Sequence, residues 1–303
     1  MITQGMLQPT ASLPPPDVIE RIRSRLGQVK MLPDVAVRAL EIAGDPESRI
    51  QEFSEVIQQD VKLATGVLSI ANSVLYSAGR PIASLDAAIA RIGFRQCKNL
   101  VISSCLSSVI EQMSIEEEWV REVLWKHSLI TGVAAAHLNR IFRAGFDGEE
   151  FTAGLVHDFG RIMLAVSFPD EFASFDPLDF DESTDLLTRE NEITQTNHCD
   201  LGAWFASDQG LPDILHDVIR LHHSPELATP AHLPLVALTA TADHMANHYA
   251  RFGELDEYNP SENPGPKLLE QSGIQDAVNR FNLVSAHVLN DAVADVAELA
   301  SFH

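Results

Sequence analysis

From Asp17 onward, apolar residues return every three or four positions almost without interruption, and this period decides the fold class. Phe53, Val56, Ile57, Ala64, Val67, Leu68, Ala71, Val74 and Leu75 follow it through one stretch, with good helix formers between them. Helix starts are written into the chain as well. Asp45 before Pro46 reads as a cap followed by the first helical residue, and Ser84, with Asp86 behind it, opens a helix over Leu85 to Ile92. Gly93 then closes that helix, because glycine adopts the conformation that ends one at little cost. Alternating strand patterns flanked by Asn-Gly or Asp-Gly turns are absent from the sequence. The expectation is an all-α protein.

Breaks in the pattern suggest an organisation. Residues 1–16 end in Pro14, Pro15 and Pro16 without an apolar period and read as a flexible lead-in. Near Met113 and Ser114 an apolar helix over Leu100 to Ile110 gives way to Glu116, Glu117 and Glu118, acids that favour the positive end of a new helix. This divides a helical subdomain, 17–113, from a second helical bundle, 114–252. Residues 253–303 follow as a loop with Pro260, Pro264, Gly265 and Pro266, then a last helix from Asp276 to Leu299. Between Asp170 and Asp213 acids dominate and Arg189 is the single Lys or Arg; the stretch reads as a solvated acidic face with a loop.

Composition narrows the function classes. The 303 residues are 45% hydrophobic, enough for substantial cores, and a globally disordered chain is excluded. With 21 Lys+Arg against 43 Asp+Glu the formal charge is −22, which argues against nucleic-acid partners and anionic membranes. No apolar run reaches the ~18 residues of a membrane span, and MITQGMLQPT lacks the features of a signal peptide. Three cysteines, Cys97, Cys105 and Cys199, fit a reducing cytoplasm. Cys97 and Cys105 read as small buried hydrophobes. Cys199 follows His198 but points ~100° away from it around a helix.

The chain also has twelve histidines, and several fall where apolar residues belong. His127 shares a helix face with Leu124, Thr131 and Ala134. His198 lies with Leu201, Gly202 and Phe205. His222 follows Leu215, Val218 and Ile219, with His223 beside it, and Asp243 sits with Val236, Thr239 and Ala240. His157 and Asp158 interrupt an apolar run between Phe151 and Gly160. A lone inward histidine is ordinarily a satisfied core residue. Seven inward imidazoles and carboxylates on separate helices need pairing or a cation, because burying such groups alone costs several kcal/mol. Imidazole mixed with carboxylate suits iron, manganese, zinc and similar ions, and helical bundles assemble such sites from facing helices. His137 and His216 point elsewhere, and His232, His244, His248, His287 and His303 fall on loops, polar faces or the terminus.

The run Leu155, Val156, His157, Asp158, Phe159, Gly160, Arg161, preceded by Trp125, Lys126 and His127, resembles the HD superfamily of metal-dependent phosphohydrolases. More closely, residues 24–250 resemble the HDOD domain, the HD-related output domain of bacterial signalling proteins. The likeness is carried by Met31 to Arg38, Asp45-Pro46, Ile57 to Asp60, Leu68 to Ser73, Ile82 to Ile89, Ile92-Gly93, Ala153 to Asp158, Glu190 ahead of His198, Leu211-Pro212 and His222-His223. The resemblance implies an N-terminal helical subdomain packed on an HD-like helical bundle. It implies a regulatory or interaction module of signal transduction, since many members have lost their ligands and most lack demonstrated catalysis.

By the same resemblance, His127, His157, Asp158 and Asp243 match the ligands of a one-metal HD site. His198, His222 and His223 match the extra histidines of two-metal sites. The implied cofactor is one or two divalent cations per chain, from iron, manganese, zinc, magnesium or nickel, with a cation-free scaffold as the other alternative. Were the chain an enzyme, the resemblance would make it a phosphohydrolase of nucleotides or other small phosphoesters. Asp158 would then bridge the metals, and Arg161, which stands where the family usually has lysine, would meet the phosphate. The expected partners are a signalling protein or a small phosphorylated ligand. Ser224, Pro225, Glu226 and Leu227 follow His223 where cyclic di-GMP hydrolases of the HD-GYP type carry Gly-Tyr-Pro, and Val123 replaces a glutamate that supports a third metal.

Overall fold

The computed structural model describes residues 13–26, 33–44, 49–73, 76, 81–113, 115, 118–182, 185–253 and 258–300. Among them there is no strand, and no helix is long and apolar enough to cross a membrane. In chain order the helices are α1 (Pro16–Leu26), α2 (Asp34–Gly44), α3 (Ile50–Ile57), α4 (Val61–Asn72), α5 (Leu85–Ile92) and α6 (Phe94–Gln112). They continue with α7 (Glu118–Phe142), α8 (Glu149–Val156), α9 (Phe159–Ser167), α10 (Phe172–Phe175), α11 (Leu186–Thr194) and α12 (His198–Asp208). The last are α13 (Asp213–Leu221), α14 (Leu233–Phe252), α15 (Gly265–Gln271) and α16 (Ala277–Ala300).

Local signals account for many of these boundaries. Ser84 caps α5 by accepting from the Ala87 amide, and Gly93 at φ 90° ends it. Asp60 caps α4 through the Leu63 amide at 3.0 Å. Asn72 ties the end of α4 to the approach of α5, accepting from Ile82 N at 2.6 Å and donating to Ile82 O at 2.9 Å. The cap expected at Asp45-Pro46 and the acidic start at Glu116-Glu117 lie outside the described residues. Two expectations need correction. The apolar helix before Met113 begins at Phe94, six residues earlier than expected, because Gly93 ends one helix and begins the next. The segment expected as a loop up to Gly273 contains α15, since Pro266 occupies the first turn of a helix, where its missing N–H does no harm.

Helices α2 to α6 pack mainly on one another around Phe53, Ile57 and Leu100, and α6 also lies against α8. Helices α8, α14 and α16 pack directly on α7, α9 joins α1 and α12 to this group, and α13 packs against α8, α12 and α14. Two close approaches draw the chemistry together. Gly132 on α7 meets Gly154 on α8, where an added Cβ would strike backbone, and Gly160 on α9 lies against the His198 backbone. Helix α16 is fastened to α7 by His137 Nε2 and Asp295 Oδ2 at 2.9 Å, and by Arg280, which donates to the carbonyls of Ile141 and Phe142.

Candidate metal centre

The close contacts of α8 with α7, and of α9 with α12, put seven polar side chains from five parts of the bundle around one point. His127 comes from the middle of α7, His157 and Asp158 from the tight link between α8 and α9, and His198 from the start of α12. His222 and His223 come from the end of α13 and Asp243 from the middle of α14. All but His223, which reaches solvent, are buried.

The two oxygens of Asp158 face two different groups. On the Oδ2 side, His127 Nε2 and His157 Nε2 are each 3.6 Å from the carboxylate and 3.3 Å from each other. Asp243 Oδ1 completes this group at 3.0 Å from His127 and 3.2 Å from His157. On the Oδ1 side, His198 Nε2 and His222 Nε2 lie at 3.6 and 3.4 Å from the carboxylate and 3.4 Å from each other. His223 Nε2 joins them, 3.1 Å from His198. Donors held ~2.1 Å from one cation stand ~3.0 Å apart at right angles and ~3.4 Å apart in a tetrahedron. Both groups have those spacings.

The opposite edges of the rings decide what the inner nitrogens are. His157 Nδ1 faces the Gly154 carbonyl at 2.8 Å and His222 Nδ1 faces the Ile219 carbonyl at 2.9 Å. A carbonyl only accepts, so each Nδ1 carries the proton and, in the neutral ring, each Nε2 presents a lone pair inward. His198 Nδ1 lies 2.8 Å from Glu190 Oε2, and the same oxygen accepts from the His198 amide at 2.9 Å. Glu190 is fully buried. A second partner that fixes the ring and leaves Nε2 bare is characteristic of histidines that bind metals. Lone pairs and carboxylate oxygens thus crowd together with too few donors between them.

Charge within the cluster shifts its titrations in opposed directions. Burial works against ionising Asp158, but His157 and Arg161 outweigh it and hold the carboxyl well below its usual range. Asp243 is held low against the same burial by His157 and His127. Burial opposes the charged form of His157, yet Asp158 and Asp243 raise its pKa overall. His198 is also raised against burial, with Cys199 and Glu190 beside it. Burial dominates at His222 and pushes it down, and His223, though its residue reaches solvent, is pushed down as well by the desolvation of its ring and by His222 and His198 beside it.

Arg161 lines the same cavity but is largely committed. Its Nε and Nη2 form a fork onto Asp176 at 2.8 and 2.9 Å, and Nη1 donates to Asp158 Oδ2 at 2.9 Å. The guanidinium packs 4.8 Å from the Phe180 ring, which is itself 4.8 Å from the His127 ring. A cavity of about 310 Å³ opens beside the cluster, with Asp158, His222, His223 and Asp243 in its wall. The rest of the wall includes Asp179, Asp181, Glu182 and Asp185. The acidic segment is therefore only partly a solvated face: Asp176 is buried against Arg161, and its neighbours border the cavity.

Three residues gain a place that the sequence did not give them. Glu190 is the partner of His198. His244, expected on a polar face, lines the cavity, with Nδ1 3.1 Å from the Tyr258 hydroxyl and Nε2 3.6 Å from Glu182. Cys199 was expected to point away, yet its sulfur and one ring nitrogen each of His198, His222 and His223 all lie within 4.8 Å of one another. The other histidines make ordinary pairs, such as His232 with Asp217 at 2.7 Å.

Comparison with known proteins agrees with this architecture. The HDOD domain family profile matches residues 29–225. An uncharacterised protein of Treponema pallidum (strain Nichols) is 24% identical over 255 residues, 84% of this chain and 48% of its own length. The chain thus spans about half the length of that curated relative. An HDOD domain protein of unknown function from Geobacter sulfurreducens superposes with a TM-score of 0.74 at 23% identity, covering 93% of this chain and 97% of its own. A protein of Shewanella amazonensis, described by inference as a metal-dependent phosphohydrolase, gives a TM-score of 0.63 at 20% identity and covers 95% of this chain and 97% of its own. One from Marinobacter aquaeolei, described by inference as a signal transduction protein, gives 0.59 at 19% identity, covering 92% and 66%.

Proposed function

Because the chain belongs to the HDOD family, we propose that it is a signalling module of that family whose bundle is held and set by a two-cation centre. His127, His157 and Asp243 hold one divalent cation, His198, His222 and His223 hold the other, and Asp158 bridges them. The observation that carries this reading is the convergence of Nε2 atoms and carboxylate oxygens at 3.0 to 3.6 Å on both sides of Asp158. Iron(II), manganese and zinc fit a donor set of imidazole and carboxylate. Arg161 positions the bridge: anchored by Asp176, it fixes Asp158 Oδ2 while Oδ1 faces the second group.

A second reading, hydrolysis of a small phosphoester, is favoured by the 310 Å³ cavity that reaches the bridging carboxylate. Bound divalent cations would supply an acidified water and positive charge for a phosphoryl oxygen. Asp158 would orient them, and Arg161 would add charge beside the phosphate through the N–H groups it has left. The wall weighs against this use, because Asp179, Asp181, Glu182 and Asp185 repel polyanions approaching the centre. The signalling reading therefore comes first, with a signalling protein as the expected partner and a cytoplasmic setting.

Elemental analysis combined with phosphodiester turnover separates the readings. Metal at about two per chain with no turnover of nucleotides or generic phosphodiesters, with manganese added, supports the signalling module. Turnover abolished by Asp158→Asn favours the hydrolase. Metal below about 0.2 per chain, purified without chelators, contradicts both.

A further inference from the structure

The two groups around Asp158 offer different donors. The Oδ2 side offers two imidazoles and the carboxylates of Asp158 and Asp243. On the Oδ1 side, three imidazoles are joined by the sulfur of Cys199, all four residues having a donor atom within 4.8 Å of the others. Cys199 is a free cysteine, 4% exposed, in the first turn of α12. Its place is fixed from both ends of that turn. Asn197 caps the helix through the Asp200 amide at 2.9 Å, and Glu190 holds the His198 backbone and ring. Opposite it, α13 ends at Leu221, so His222 and His223 leave the helix facing the His198–Cys199 step.

We propose that Cys199 is a thiolate ligand of the second position, adding sulfur to His198, His222, His223 and the shared Asp158 and giving a donor set that takes a thiophilic divalent cation in preference to manganese or magnesium. The inference rests on the two-cation reading and deepens it. As the cation enters, the Cys199 S–H bond breaks, the sulfur keeps the electron pair for the metal and the proton passes to solvent. No oxidant or reductant is involved. Thiolate and imidazole favour zinc and iron(II), whereas manganese and magnesium prefer oxygen donors. The pair is then unlike by design: an oxygen-rich position beside Asp243 and a sulfur-bearing one beside Glu190.

The test is a cobalt(II) titration of the metal-stripped full chain. Wild type is expected to develop the visible bands of bound cobalt together with a near-ultraviolet thiolate-to-cobalt charge-transfer band. That band persists in Cys97→Ala/Cys105→Ala. In Cys199→Ser it disappears while the visible bands remain, and zinc affinity at the second position falls by at least the ~10- to 100-fold that even an outer partner of a metal ligand is worth. Visible bands without the near-ultraviolet band in wild type, or a band that survives Cys199→Ser, overturns the thiolate assignment and leaves the two-cation reading standing. A wild-type chain that takes up no cobalt overturns both. X-ray absorption at the zinc edge of the wild-type protein needs no variant. A sulfur neighbour at about 2.3 Å supports the ligand, and a shell of nitrogen and oxygen alone contradicts it.

Discussion

The N-terminal helices and the bundle around α7 both bury polar side chains, but they use them in opposite ways. In the first region polar groups serve local backbone: Asp60 caps α4, Ser84 caps α5, and Asn72 closes both hydrogen bonds of Ile82. In the second, imidazoles and carboxylates are aimed at one another as acceptors and held there by outer partners, among them Glu190, Gly154 and Ile219. Satisfied polar groups stabilise a fold directly. Convergent acceptors strain it until protons or cations arrive. A polar substitution should therefore reduce stability in one region and cation content in the other.

The sharpest way to break this contrast is Asp158→Asn, which removes the charge that both groups share. We expect it to release both cations and to abolish the thermal destabilisation that a chelator causes in wild type, since a ligand stabilises only the fold that binds it. Calorimetry with and without chelator measures this. A variant that retains wild-type metal content would mean that Asp158 bridges nothing. Next in size is Glu190→Gln, which leaves His198 in place but weakens its outer partner. Affinity at the second position should fall about 10- to 100-fold while the first is unchanged, as followed by competition with a chelating dye.

Acidity should act on the cation centre. The pKa values of His157 and His198 are raised, so in the cation-free chain each ring holds its proton to higher pH than a free histidine, and a cation must displace it. His222 and His223 are shifted down and stay neutral. Affinity therefore falls as pH drops below these raised values, by about tenfold per pH unit at each position. Calorimetric titration in buffers of different ionisation enthalpy should detect roughly one proton released per cation at His157 or His198. The Cys199 proton adds a second at that position.

The smallest effects belong to the N-terminal region. Asn72→Ala leaves both backbone groups of Ile82 without that partner and should cost about 1–3 kcal/mol. Ser84→Ala should cost about 0.5–2 kcal/mol through the lost cap. Denaturant unfolding reads both. Metal content unchanged in both variants sustains the contrast between the regions, and a loss of metal in either would dissolve it.

The same contrast explains what the sequence revealed. Helix α5 was legible from Ser84 to Gly93 because a cap and a stop act within a few residues. The seven inward polar residues were legible because a polar residue on an apolar face violates a helical period. Arg161 was visible as a charge, but its fork onto Asp176 was not, because that contact depends on the path of the intervening loop. Glu190 stood out only as part of the family pattern, and its hold on His198 spans eight residues across a turn. Cys199 was misjudged for a geometric reason. The 100° step separates neighbours on the body of a helix, whereas a point beyond the helix start is reachable from two consecutive residues. Helix α15 was missed because Pro264, Gly265 and Pro266 break helices in their interior and are tolerated where one begins.

Asp158 is proposed to stand between two cations. Anomalous diffraction from crystals of the full chain, grown without chelators and measured at the metal edges, tests it most directly. The account predicts two anomalous peaks, one on each side of the Asp158 carboxylate, the first among His127, His157 and Asp243 and the second among His198, His222 and His223. A single peak, or none above noise, in crystals soaked with zinc would contradict it.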